Sequence, residues 1–169
     1  MNFTIRKMTV DDVPAVVQLD QKSFSLPWPE RSFRFELTDN PASRCWVAEL
    51  DGNVVAMIVI WLIVDEAHVA TIATDPEYRR QGIGKRLLAH ALRDMIRDGA
   101  RSSFLEVRES NVAAQEMYQK FGYEIMGRRR RYYRDNDEDA ILMNLDSLDA
   151  DRLMVDGGYS TLDKEEQNG

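Results

Sequence analysis

At 169 residues, with 44% hydrophobic residues and 22 Lys and Arg against 29 Asp and Glu, the chain suits one soluble domain of ordinary core size with a formal net charge of −7. That acidic balance argues against a general nucleic-acid binder, and a single cysteine, Cys45, excludes an internal disulfide and fits a reducing compartment. The apolar run from Val54 to Val64 is too short to span a bilayer and starts too late for a signal peptide, so a cytoplasmic protein away from membranes is expected.

Phe3 to Met8 reads as a first strand. Hydroxyl and carboxylate caps over Thr9 to Asp12 then precede Val13, Val16, Val17 and Leu19, the start of a helix, and a second helix is expected around Glu30 to Leu37. Ser43 to Leu50 and Asn53 to Ile63 are strands joined at Asp51-Gly52, the best short hairpin signal in the chain. Cys45 falls inside the strand segment Cys45-Trp46-Val47-Ala48 with no base adjacent in sequence, so it reads as a buried thiol rather than a nucleophile. A further strand covers Glu66 to Thr74.

That strand runs into Asp75-Pro76-Glu77-Tyr78-Arg79-Arg80-Gln81-Gly82-Ile83-Gly84-Lys85. Ile83, Leu87, Leu88, Ala91, Leu92, Met95 and Ile96 recur behind it at helical spacing, with Gly99 as the stop. The junction is strand, glycine loop, helix. Gly82 and Gly84 let backbone N–H groups face inward beside the positive helix end, an arrangement that binds phosphate oxygens, and the bland alternative is a glycine-rich turn before an ordinary helix. The two glycines stand too close together for a Walker loop, and a dinucleotide fingerprint lacks its third glycine.

Ser102 to Arg108 is the next strand, followed by a short helix that ends at Gly122, and strands near Tyr123 to Arg130 and Glu138 to Leu145 close the pattern. Arg128 to Arg131, with Arg134, is the one basic cluster in an acidic chain, so no direct nucleic-acid binding is expected. His68 sits in the fourth strand and His90 on the Lys85 and Arg86 side of its helix, expected at the surface. Two histidines without partnered cysteines make no metal site, and no metal is expected. From Asp146 onward, seven acidic residues against Arg152 and Lys164 hold −5 of the chain's −7. A domain over residues 1–147 and an acidic, disordered tail over 148–169 are expected, with an appended C-terminal helix as the alternative.

Two segments carry a resemblance. Arg79-x-x-Gly82-x-Gly84 resembles the acetyl-CoA signature, Arg/Gln-x-x-Gly-x-Gly/Ala, of the GNAT N-acetyltransferases. The strand Ser103 to Arg108, then Asn111, small residues, Tyr118 and Phe121-Gly122-Tyr123, resembles the next motif of that superfamily, in its order and spacing. Ser23-Phe24-Ser25-Leu26-Pro27-Trp28-Pro29-Glu30, Leu105-Glu106-Val107-Arg108-x-Ser110-Asn111-x-Ala113-Ala114, and Arg131-Tyr132-Tyr133 leading into Glu138-Asp139-Ala140-Ile141-x-Met143 resemble the RimI-type ribosomal-protein alanine N-acetyltransferases. The likeness covers about residues 3 to 145. Archaeal and eukaryotic N-terminal acetyltransferase subunits share the Tyr-Tyr and Glu-Asp-Ala elements, so these mark the peptide N-terminal branch.

The resemblance implies an α+β GNAT fold, a mixed and mostly antiparallel seven-stranded sheet flanked by helices and splayed between strands four and five. Acetyl-CoA would lie in that cleft along the backbone of Ile72, Ala73 and Thr74, its pyrophosphate on Arg79, Arg80, Gln81, Gly82, Ile83, Gly84 and Lys85, with Asn111 and Tyr118 completing the site. Acetyl transfer to an amine must deprotonate an ammonium and protonate a departing thiolate. Glu106 would be the general base, with pairing to Arg108 or Arg101 as its structural alternative. Tyr118 would be the general acid, or a core tyrosine, and Asn111 is also suited to be only a helix cap. Pro27, Trp28, Tyr132 and Tyr133 would flank a peptide substrate, a protein N-terminus with a small first residue, Ala preferred, of the ribosomal-protein type. Acetylation of a small amine or a lysine, and a non-catalytic acyl-CoA-binding module, are the competing classes.

Overall fold

The unbroken apolar run of the third strand has its reason in the architecture, where that strand is covered on both faces. The computed structural model describes residues 3–153. Among these, strands β1 (Thr4–Lys7), β2 (Ser43–Leu50), β3 (Asn53–Ile63), β4 (Glu66–Thr74), β5 (Ser102–Arg108), β6 (Glu124–Tyr133) and β7 (Glu138–Leu145) form one sheet in the order β1-β2-β3-β4-β5-β7-β6. All neighbours are antiparallel except β4 and β5. Helices α1 (Val13–Ser23) and α2 (Glu30–Thr38) cover one face, over Val47, Met57, Val59 and Ala73. Helices α3 (Ile83–Arg97) and α4 (Val112–Phe121) cover the other, over Ile58, Ile60, Val69 and Leu105.

Local chemistry sets the elements. Asp51 and Gly52 both take positive φ, 51° and 82°, as a tight hairpin between β2 and β3 requires. In α3, Ile83, Leu87, Leu88, Ala91, Leu92 and Met95 are buried, and each leucine-sized side chain so placed contributes about 1.5–3 kcal/mol. This apolar stripe holds α3, and therefore the glycine loop ahead of it, against β2, β3 and β4.

One irregularity makes the cleft. β4 and β5 pair only from Glu66↔Ser102 to Val69↔Leu105, although β4 continues to Thr74 and β5 to Arg108. At that point Val59 pairs with Thr71 and Ile60 with Val69, so Ala70 is an extra residue in β4. A bulge of this kind bends its strand, and here it turns the upper half of β4 away from β5. The fold is the splayed α+β sheet expected from the sequence.

Several expectations are corrected in detail. Tyr123 does not begin β6: its ring is buried, and its hydroxyl bonds Ser103 Oγ at 2.7 Å, which in turn donates to the Ala67 carbonyl at 2.7 Å. β6 instead runs to Tyr133, three residues beyond the expected end. His90 is half-buried edge-on against Trp46, 6.0 Å between centroids, and burial lowers its pKa. The packed chain also passes the expected boundary at 147. The Leu148 N–H donates to the Arg101 carbonyl at 2.9 Å, Ala150–Arg152 form a 3-10 turn, and Leu153 is buried in the α3 and α4 core. Residues 154–169, the rest of the expected tail, lie outside the described residues.

Candidate active site

The glycine loop is built from β4 onward. Asp75 Oδ1 accepts the Glu77 N–H at 3.0 Å and starts a 3-10 turn over Pro76–Tyr78, while Arg79 Nε donates back to the Thr74 carbonyl at 3.1 Å. Arg80 takes φ +64° and Gly82 φ +78°, and Gly82 then caps α3 with no side-chain acceptor. The first N–H groups of α3 have no acceptor within the helix, so Ile83, Gly84 and Lys85 present donors at its positive end. The two glycines do different jobs. Gly82 supplies the left-handed turn in open space, whereas a Cβ on Gly84 would meet Thr74 Oγ1 at 3.3 Å and Met117 Sδ at 3.9 Å. Ile83 turns its side chain into the core, leaving only its backbone to the loop.

Ile72, Ala73 and Thr74 pair with Ile58, Met57 and Ala56 of β3 along one edge. Their other edge faces the gap that β5 has left, where an extended ligand can pair with backbone. Asn111 caps α4, its Oδ1 accepting the Ala114 N–H at 3.2 Å.

Alternation along β5 sends Leu105 and Val107 into the α3 and α4 core and Phe104, Glu106 and Arg108 to the other face. Phe104 there meets His68, 5.0 Å between centroids, and His68 meets Trp61 at 5.4 Å. The Glu106 side chain is 15% exposed. Neither Arg108 nor Arg101 pairs with it. Its nearest cation is Arg129, with Nη2 at 4.0 Å, and a hydrogen bond from Tyr132 to Glu106 raises that phenol's pKa, helped by partial burial. Burial pushes the Tyr133 phenol up to about 12, with Glu106 and Tyr132 adding to the rise.

Tyr118 approaches from the opposite side. It is buried in α4, its ring 5.7 Å from that of Tyr123, and burial holds its phenol well above the ordinary value, with Tyr133 contributing. Glu106, Tyr132 and Tyr133 thus group where β5 leaves β4, while Tyr118 stays in the core on the other face, within electrostatic reach of Tyr133. Pro27 does not join them: it is exposed in the α1–α2 connection. Trp28 is half-buried, ring against Phe33 at 5.2 Å, and lines a pocket of about 490 Å³ between α2 and β3 with Arg31, Phe35, Glu36 and Trp61.

Residues outside the expected site surround it, and of these Asp20 and Asp135 carry no sequence signal. Asp20, 1% exposed, accepts the Trp28 N–H on Oδ2 at 2.6 Å, and its Oδ1 has no partner. Arg108 gathers Asp135, Glu138 and Ser25. Asp20 and Asp135 follow no local period, so only their distant partners mark them. Cys45 is buried and its thiol is raised to about 11 by that burial. Among the described residues no three of His, Cys, Asp and Glu gather as a metal site, and no helix is long and apolar enough to cross a membrane.

Comparison with known proteins agrees with this fold. The acetyltransferase (GNAT) family profile matches residues 13–123. Among curated relatives, the ribosomal protein bS18-alanine N-acetyltransferase of Escherichia coli is 35% identical over 153 residues, 84% of this chain and 96% of that one. The N-alpha-acetyltransferase RimI of Mycobacterium tuberculosis is 37% identical over 152 residues, 86% of this chain and 94% of that one. Among solved structures, the ribosomal-protein-S18-alanine N-acetyltransferase of Escherichia coli superposes with a TM-score of 0.79 at 33% identity, covering 90% of this chain and 99% of that one.

Proposed function

The chain belongs to the GNAT family of acetyltransferases, and we propose that it transfers the acetyl group of acetyl-CoA to the N-terminal α-amine of a protein that begins with a small residue, Ala before Ser or Thr. The observation that supports this reading is the grouping of Glu106 with Tyr132 and Tyr133 where β5 leaves β4, with Tyr118 buried on the opposite face. The donor fits the chain. The unpartnered edge of Ile72, Ala73 and Thr74 suits an extended pantetheine, and the uncapped N–H groups after Gly82 suit its pyrophosphate, beside Arg79, Arg80, Gln81 and Lys85. Asn111 would flank the same ligand from the start of α4.

The amine meets the acetyl carbon from the Glu106 face. Glu106 takes the ammonium proton, a modest task because an α-amine has a pKa near 8. Attack of the neutral amine gives a tetrahedral oxyanion, and the C–S bond breaks as it collapses. Tyr118 on the other face gives the departing sulfur its proton, and the second proton of the amine is released to solvent, from which the phenol is restored. Burial raises the Tyr118 phenol, and the same apolar surroundings penalise a thiolate, so the phenol keeps its proton until the sulfur demands it. Tyr132 and Tyr133 stand beside Glu106, where their phenols would offer donors and acceptors to the first peptide groups, and the α1–α2 connection reaches that side through Ser25 rather than through Pro27 or Trp28. The bS18 specificity in the names of the relatives supports a ribosomal protein as the target.

Mass spectrometry of an Ala-initiated peptide with an internal Lys tests the reading. The acetyl group is expected on the α-amine, because a lysine amine is about two pKa units more basic and about a hundredfold less often neutral at pH 7. Acetylation of the lysine, or faster turnover of spermidine or a free amino acid, replaces this reading with that of a small-amine or lysine acetyltransferase.

A further inference from the structure

Arg108 ends β5 on the same face as Glu106, and its side chain is only 19% exposed. It grips the turn between β6 and β7 with both arms of its guanidinium, Nη1 to Asp135 Oδ1 at 3.0 Å and Nη2 to Asp135 Oδ2 at 3.0 Å. Nη1 also donates to Glu138 Oε1 at 3.2 Å, and Glu138 Oε2 accepts the Ser110 N–H at 2.6 Å, which ties the start of β7 to the chain just beyond β5. Toward the α1–α2 connection, Nη2 lies 3.5 Å from Ser25 Oγ, and Ser25 itself donates to Asp135. The guanidinium plane then covers the Tyr133 ring, 4.0 Å from its centroid.

We propose that Arg108 is a positioning residue for peptide acetylation, clamping the α1–α2 connection to the β6–β7 turn and fixing Tyr133 at the mouth of the cleft. The inference rests on the reading of Tyr133 and the two loops as the peptide's surroundings. The requirement is specific to arginine. A planar fork can serve a carboxylate bidentately while its face stacks on a phenol ring, whereas a lysine offers one point charge. Neither loop has a regular backbone ladder across the mouth: residues 24–29 lie between helices and Arg134–Asp137 form a turn. Side chains therefore decide whether the two loops stand in one arrangement before a peptide arrives, and Arg108 touches both. Preorganisation of this kind lowers the cost of binding and leaves the proton transfers to other groups.

The test measures Arg108→Gln and Arg108→Lys by backbone hydrogen exchange and by steady-state kinetics on an Ala-initiated peptide. In Arg108→Gln, exchange in residues 24–29 and 134–139 is expected to rise about tenfold while β2 and β3 stay as in the parent, and peptide KM to rise about tenfold with kcat within about threefold. Acetyl-CoA should stabilise the variant as it does the parent. Arg108→Lys should fall between the two, and serves as the test if the Gln variant does not fold. Placed in a Tyr133→Leu background, Arg108→Gln should add little further to KM, since the ring it positions is gone. Unchanged exchange in the two loops overturns the proposal, as does an equal KM effect in both backgrounds. A parent that leaves the peptide unmodified refutes the substrate reading instead, and the exchange measurement still decides whether Arg108 is the clamp.

Discussion

Glu106 and Tyr118 lie on opposite faces of the sheet, the carboxylate beside Tyr132 where β5 leaves β4 and the phenol within the α3 and α4 core. In the proposed reading Glu106 serves the incoming amine and Tyr118 the outgoing sulfur. Tyr118→Phe is therefore expected to lower kcat on the order of 10²-fold with little change in acetyl-CoA affinity, and Glu106→Gln to lower kcat by a similar order. Steady-state rates between pH 5 and 9 check both, and a near-parental rate from either variant would assign the proton work to water.

Gly84 offers a test of the donor site that leaves these groups alone. A Cβ there sits 3.3 Å from Thr74 Oγ1, so the branched side chain of Gly84→Val must push the first turn of α3 off the end of β4. The parent should gain thermal stability on adding acetyl-CoA, by about 2.7 kcal/mol at a hundredfold excess over Kd, and the variant should not. An equal gain in both proteins, read by differential scanning fluorimetry, would move the donor away from this loop.

What the sequence made legible, and what it hid, follows from how far apart the interacting residues lie. The Asp51-Gly52 hairpin, the β4–loop–α3 junction and the α4 cap at Asn111 rest on neighbours within a few positions, and a linear pattern displays them. Tyr123 left its expected strand because Ser103, twenty positions earlier, gives its hydroxyl a partner in the core. The Ala70 bulge exists only as a register between two strands. Arg108 carries its motif in plain view, yet its partners stand 27, 30 and 83 positions away. The resemblance named Glu106 and Tyr118, but not that they lie on opposite faces of the sheet.

The contribution of Leu148 and Leu153 is a further test. Leu153 is 8% exposed in the α3 and α4 core, and Leu148 packs against the same cluster. In the full chain, Leu148→Ala with Leu153→Ala is expected to cost about 2 kcal/mol or more. Urea unfolding of the variant and the parent reads the difference. Equal stabilities would mean that Leu148 and Leu153 add nothing to the core.

Asp20 predicts an unusual sign in the pH dependence of stability. Its carboxylate is buried with one oxygen unpartnered, and desolvation raises its pKa, against which the single bond from the Trp28 N–H is the smaller influence. Below the ordinary carboxylate range both the folded and unfolded chains hold the proton, and nothing is lost. As pH rises through that range the unfolded chain ionises first, so stability falls until the buried group also ionises. Asp12, Asp135, Glu138 and Asp139, each held down by hydrogen bonds, act the other way. Asp12, held down by Arg6 at 2.8 Å, contributes stability above its unfolded pKa that is lost in acid. Asp20→Asn keeps an acceptor for the Trp28 N–H and removes the titration. The difference in unfolding free energy, variant minus parent, should therefore increase as pH rises from about 4, just above the free carboxylate value near 3.9, toward 7. Chemical denaturation of both proteins at several pH values measures it, and a difference that stays flat or declines with pH would show that Asp20 enters the fold already ionised.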